Sequence, residues 1–162
     1  MTIFGISGSM ALMLVGFGLR DSIMDIARRQ YQELQHYTGT IIDDEDATDK
    51  ERQELDEFLE NNSQIERYTH VQFTKMSVPR NKSNISVYVY VPENLETFNK
   101  DVTLQDRKTK EKYKLTDAGT VISEKTATLT GLKVGDTMTI TKDGKNYETK
   151  IAAVTENYMG HY

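Results

Sequence analysis

The first nineteen residues, MTIFGISGSMALMLVGFGL, contain no Asp, Glu, Lys, Arg or His. A run of that kind must enter lipid, be buried in a core or be removed. Nineteen helical residues at about 1.5 Å each span about 28 Å, close to the ~30 Å hydrocarbon core of a bilayer. Gly5, Ser7, Gly8, Ser9, Ala11, Gly16 and Gly18 make the run rich in small residues. Glycine disfavours a helix in water but lets helices pack closely in lipid, and Gly5 with Ser9 forms a small-xxx-small pair. A secretory signal needs basic residues before the apolar stretch and a small-x-small cleavage site after it. Neither is present; the run ends Gly16-Phe17-Gly18-Leu19-Arg20-Asp21. A buried core helix is the remaining competitor, and the length of the run favours a transmembrane helix over 1–19. The abrupt start at Met1 suggests a chain that begins at or inside the span, as a piece of a longer protein.

The other 143 residues carry every charge of the chain, which is 28% charged and 37% apolar overall. The 162 residues are room for one ordinary domain. No cysteine is present, so disulfides, Cys-based zinc sites and Cys nucleophiles are excluded. His36, His70 and His161 share no helix-spaced metal pair. The net charge of −5 argues against general nucleic-acid binding, which needs a cationic field. Charge is also uneven along the chain. Residues 21–66 hold 14 acidic and 4 basic side chains, and residues 67–162 hold 11 acidic and 15 basic. That split suggests two subdomains of opposite sign.

From Arg20 to about Tyr37, Ile23, Ala27, Tyr31 and Leu34 mark one helical face, with Ile26 beside it. Nothing between Leu19 and Asp21 breaks a helix, so one continuous rod is expected, stopped by Gly39; two helices with a bend near Gly18 are the alternative. Thr40 to Ile42 is a short strand candidate. Asp43-Asp44-Glu45-Asp46 lacks the glycine and distal Glu of an EF-hand and reads as a solvated acidic loop. Thr48 and Glu51 form a capping box opening a helix to about Asn61, with Leu55, Phe58 and Leu59 on its buried side.

Strand patterns follow at Arg67 to Met76, with His70 as a surface residue, and at Ile85 to Val91, the strongest in the chain. Weaker strands are expected at Val102 to Gln105 and Tyr113 to Leu115. Arg107, Lys108, Lys110 and Lys112 between them could meet anionic lipid or nucleic acid, but a hairpin loop with a solvated basic tip is the simpler reading. Ser123 caps a short helix, Glu124 to Thr130, ended by Gly131. A strand from Thr137 to Thr141, an Asp143-Gly144 turn and a return strand from Tyr147 to Val154 complete the pattern. The expected fold class is α+β: a transmembrane helix (1–19), a helical stalk (20–37), and an antiparallel β-rich domain with short helices (38–162).

No P-loop, GxSxG elbow or HExxH occurs. Glu124 and Asp136 flank the short helix, but acid–base work needs a cleft as well. Asn61, Asn81 and Asn84 begin glycosylation sequons, a signal of low specificity. No catalytic residue, cofactor site or metal site is assigned.

Two segments resemble a known family. Gly5 to Ile23, GISGSMALMLVGFGLRDSI, is similar to the first membrane span, and its exit, of FtsX-like (MacB-like) ABC transporter permeases. Val121-Ile-Ser-Glu-Lys125, Leu129-Thr-Gly-Leu-Lys-Val-Gly-Asp-Thr-Met-Thr-Ile140 and Tyr147 to Tyr162 resemble a stretch of their extracytoplasmic domain. The closing VTENYMGHY resembles the Gram-positive members. Together these segments cover about the first 23 and last 42 residues; 38–118 corresponds only in position, to a variable insert.

The resemblance implies a permease subunit fragment that carries ATP-driven motion across a cell membrane to an extracytoplasmic domain, with residues 21–162 outside. It implies an ABC ATPase on a separate subunit, membrane lipids and a second permease half or homodimer as partners, and a peptide, lipoprotein or antibiotic as substrate. Arg20 and Asp21 would stand where the lever leaves the bilayer, and Gly131, Gly135 and Asp136 carry the family-like motif. A single-span, membrane-anchored binding or sensor module is the alternative reading, and a soluble enzyme with a buried N-terminal helix is a third.

Overall fold

The computed structural model describes residues 2–44, 46–80 and 83–158, with side chains described for 5–44, 46–79 and 84–158. Helix α1 runs unbroken over Thr2–Arg28 and passes directly into a π-helical segment, Arg29–Leu34. The continuous rod is therefore present, with no break at Gly18. It ends earlier than expected. Gln35 turns extended and bridges to Val102, so the chain leaves the helix at Leu34 and not at Gly39.

Among the described residues no helix is long and apolar enough to cross a membrane. Among the described side chains, Ser7, Gly8, Ser9, Gly16 and Gly18 interrupt the large apolar ones, and Arg20 and Asp21 close the run. What is found over the predicted span is a helix with its apolar residues outward: Ile6, Met10, Leu12, Met13, Leu14, Val15, Phe17 and Leu19 are all exposed.

Helix α2, Asp49–Asn61, begins at the expected capping box: the Glu51 N–H donates to Thr48 Oγ1, and the Thr48 N–H donates to the Glu51 carboxylate. Leu55 and Leu59 are half-buried, but Phe58 is exposed, so the expected buried face is incomplete. The Thr40–Ile42 strand does not form; Ile41 and Ile42 are exposed coil, with no paired neighbour to satisfy a strand's amides.

Five strands form one sheet in the order β2-β1-β6-β7-β5. Strands β1, Val71–Arg80, and β2, Ser83–Pro92, pair antiparallel over ten positions. Helix α3, Leu95–Asp101, follows and was not foreseen; Asn94 caps it by accepting from the Thr97 N–H. Short strands β3, Leu104–Gln105, and β4, Lys112–Tyr113, pair with each other as a separate hairpin. Strand β5, Thr120–Ser123, leads into α4, Glu124–Thr130. Strands β6, Thr137–Lys142, and β7, Lys145–Thr155, form the final hairpin. Its tight turn holds Asp143 and Gly144 at positive φ, as Asp-Gly turns do.

The sheet is mixed, not antiparallel throughout. β5 lies parallel to β7, because α4 and β6 return the chain between them as a crossover. β1 meets β6 in register only at Ser77 and Thr141, where the sheet curls. The core lies on its inner face: Val78, Val87, Ile122, Met138, Ile140 and Ile151 are buried, with Ala127 of α4 and Leu132 packed against them.

Gly119 sits where backbone meets backbone. A Cβ there would lie 2.5 Å from the carbonyl oxygen of Lys150. Gly119→Ala must therefore push β5 off β7. The expected loss is about 2 kcal/mol, read as a lower urea midpoint at an unchanged slope.

Candidate functional site

The stalk does not simply end beside the domain. Three stretches converge on its last turn: the π-helical segment with Gln35 and His36, residues 101–105, and the end of β7 with residues 156–158. Backbone bonds fix the first pair. The His36 N–H donates to the Asp101 carbonyl at 2.8 Å, and the Thr103 N–H donates to the Leu34 carbonyl at 2.8 Å. Gln30 and Leu34 are almost fully enclosed. Gln30 Oε1 accepts from the Tyr158 N–H at 2.9 Å, which joins the stalk to the outgoing chain. The Gln35 N–H reaches back five residues to the Gln30 carbonyl, the wide turn of a π-helix. Such turns are rare and concentrate at functional sites.

Glu156 is the centre of the site. Its side chain is 2% exposed. Lys110 Nζ donates to Oε1 at 2.6 Å, and the Tyr158 hydroxyl donates to Oε2 at 2.8 Å. Gln105 Nε2 also donates to Oε1. Burial pushes the carboxyl up, but donation from Lys110, Tyr158 and Gln105 outweighs it, and the group is held below the ordinary carboxylate range. Tyr158 is pushed the other way, by burial first and by its bond to the Glu156 carboxylate second. Backbone and Thr155 hydroxyl bonds lock Gln105 to β7: the Gln105 N–H donates to Thr155 Oγ1, and the Glu156 N–H donates to the Gln105 carbonyl.

Three ion pairs brace the rim. Arg67 Nε donates to the mostly buried Asp101 at 2.6 Å, and Asp25 accepts from both Arg28 and Arg29. The basic loop between β3 and β4 is thus only partly a solvated tip. Lys110 is committed to Glu156, and Arg107 pairs with Glu124 at 2.8 Å. Asp106 builds the loop by accepting from the N–H groups of Lys108 and Thr109.

The residues singled out from the sequence stand elsewhere. Arg20 and Asp21 lie exposed on α1 and form no ion pair with a described residue. Gly131 ends α4 in the left-handed region at φ 77°, and Gly135 turns at φ 94°. Asp136 Oδ2 accepts from the Lys133 N–H at 2.8 Å, while the N–H groups of Gly135 and Ile151 bind across to the carbonyls of Ile151 and Asp136. That motif shapes the entry to β6. No hydrogen bond or ion pair among the described residues joins the two sets. Glu124 is bound to Arg107 and Asp136 to its own turn, so they do not act as a pair.

Gln30 carried a signal that polarity obscured. At about 100° per residue it falls between Ile26 and the stripe of Ile23, Leu34 and Ala27, whereas Tyr31 falls at the far margin and is 57% exposed. Glu156 had none, because two of its three partners, Lys110 and Gln105, come from 46 and 51 residues away.

As chemistry, a carboxylate saturated by three donors is poorly placed to take a proton, and well placed to hold three segments in one geometry. One shallow cleft of about 180 Å³, lined by Val78, Pro79, Thr130, Leu132, Thr137 and Thr139, carries no titratable side chain. No group of three or more His, Asp or Glu is arranged to hold a metal among the described residues. Comparison with protein-family models, curated proteins and solved structures finds no match for this chain.

Proposed function

We propose that the chain is the membrane-proximal part of an FtsX-like permease, in which α1 lies in the bilayer and its continuation carries ATP-driven displacement into the β-rich domain outside the cell. The observation that carries this reading is the unbroken helix. Exposed apolar residues from Ile6 to Leu19 continue without a break into a segment whose far end is enclosed at Gln30 and Leu34. A helix transmits axial displacement with little compliance, and a lever needs a firm seat at its working end. The junction around Glu156 supplies that seat and fastens the lever to the chain's path beyond β7. Arg20 and Asp21, the first charges after the apolar run, suit the level where the rod leaves the lipid.

The test is affinity capture of the native protein from its own membranes in mild detergent, read by mass spectrometry. An ATP-binding-cassette subunit, with further spans joined to this sequence, is the expected result. Capture of a single-span chain without an ATPase replaces this reading with a membrane-anchored binding module.

A further inference from the structure

We propose that β2 is a self-pairing edge: two copies of this chain join antiparallel through β2, about a two-fold axis at Tyr88. Strand β2 is the last of its sheet and is hydrogen-bonded, among the described residues, to β1 alone. An edge of this length is a template for another strand, and proteins ordinarily defend it with a bulge, an inward charge or a lysine. None of these occurs within the strand, and its one proline, Pro92, stands at the last position. The ten-residue register with β1 is unshifted, and Ser83 to Pro92 contains no charged residue.

The charges that flank the strand select its partner. In the sequence Arg80 and Lys82 precede β2 and Glu93 follows it, whereas Glu96 is already paired with Lys100 inside α3. An antiparallel copy sets the basic end of each strand beside the acidic end of the other; a parallel copy sets like charges together. With Tyr88 opposite Tyr88, Ser83, which Arg80 of β1 faces, falls level with Glu93 of the second copy. The side chains match as well, because an even register keeps each face with its like. On the core side Val87 meets Val89, and the exposed Val91 meets the half-buried Ile85. On the outer side Ser86 meets Tyr90. The half-exposed cluster of Phe73, Tyr88 and Tyr90, whose ring centroids lie 4.8 Å apart, becomes one aromatic strip across both copies. A passing peptide accounts for the open edge but not for its two-ended charge. The pairing does not depend on whether α1 enters lipid.

Absence of native cysteine makes the register directly readable. Opposed residues of an antiparallel pair have Cα atoms about 4.5–5.5 Å apart, within disulfide range. Full-length Tyr88→Cys in mild detergent, oxidised with copper–phenanthroline, should run as a covalent dimer. Ser86→Cys and Tyr90→Cys should each remain uncrosslinked alone, since each lies about 13 Å along the strand from its own copy, and should crosslink when mixed. Tyr88→Lys, which sets two ammonium groups face to face, should halve the protein mass in light scattering, from two chains to one of 18.5 kDa. A wild-type chain that stays monomeric at about 100 μM overturns the proposal, including one whose β2 takes up an added extended peptide instead. So does a dimer that survives Tyr88→Lys and fails to crosslink at residue 88, which would be joined elsewhere. The cysteine mixing experiment keeps the proposal open to refutation if Tyr88→Lys does not fold.

Discussion

Glu156→Ala should cost the chain about 3 kcal/mol, the largest loss expected from any single side chain of the junction. Removing one partner of a buried ion pair typically costs about 3–5 kcal/mol, because the group left behind keeps its desolvation penalty. The lower end applies here. Lys110 is 43% exposed and regains water, but the Gln105 amide is buried and the Tyr158 hydroxyl is partly so, and both lose their acceptor. At a slope of about 2 kcal/mol/M the urea midpoint of the detergent-held chain falls by about 1.5 M. Arg107→Ala, which removes a half-exposed pair with Glu124, should cost less than about 1 kcal/mol. Equal losses in the two variants would show that Glu156 is not a keystone.

The same residue sets an acid limit. The folded carboxyl titrates below its unfolded value of about 4.3, so the stabilisation is complete above that value and is lost as pH falls through the folded pKa. Asp25, Glu51, Glu96 and Asp106 are held low as well, by Arg28, by the Thr48 N–H, by Lys100 and by the Thr109 N–H respectively. Acid sensitivity is therefore shared, and the informative quantity is the difference between wild type and Glu156→Ala. That difference should be constant from pH 5 to 7 and shrink below about pH 4.

What could be read from the sequence was what neighbouring residues decide. The Thr48 capping box, the Ser123 and Gly131 ends of α4, the Asp143-Gly144 turn and the β-branched run of β2 are each set by a few adjacent residues, and each formed as expected. Strand β1 lies several residues later than the alternation suggested. Residues 67–70 before it lie outside any strand, and there the His70 carbonyl accepts from the Glu93 N–H. Helix α3 escaped notice because seven residues carry too little periodicity to announce a helix. The parallel placement of β5 beside β7, and the burial of Gln30 and Glu156, depend on segments brought together only by the whole fold. Polar residues inside a core have no local signature. Their partners are what make them stable, and for Gln30 and Glu156 the partners Tyr158, Lys110 and Gln105 are brought in chiefly from far away in sequence.

Leu14→Arg should release the chain from membranes, and it is the sharpest separation of the two fates open to α1. Leu14 lies near the middle of the described apolar stretch and is 75% exposed; α1 packs extensively against no element other than its own π-helical continuation. The substitution therefore has little to disturb in the fold. In lipid the balance is different. Exchanging Leu for Arg at the centre of a span costs about 3.5 kcal/mol, on the order of 300-fold in partition between bilayer and water. Leu129→Arg, at a less exposed position on α4, should leave partition unchanged. The readout is the fraction of full-length chain floating with phosphatidylglycerol-containing vesicles after urea wash. If α1 instead lies against water or a protein partner, Leu14→Arg raises solubility and leaves flotation where it was, and the lever loses its anchor. A fall in flotation confined to Leu14→Arg, with the Glu156 junction intact by its urea midpoint, places the apolar run in lipid and leaves the seat of the stalk as a separate, independently stable device.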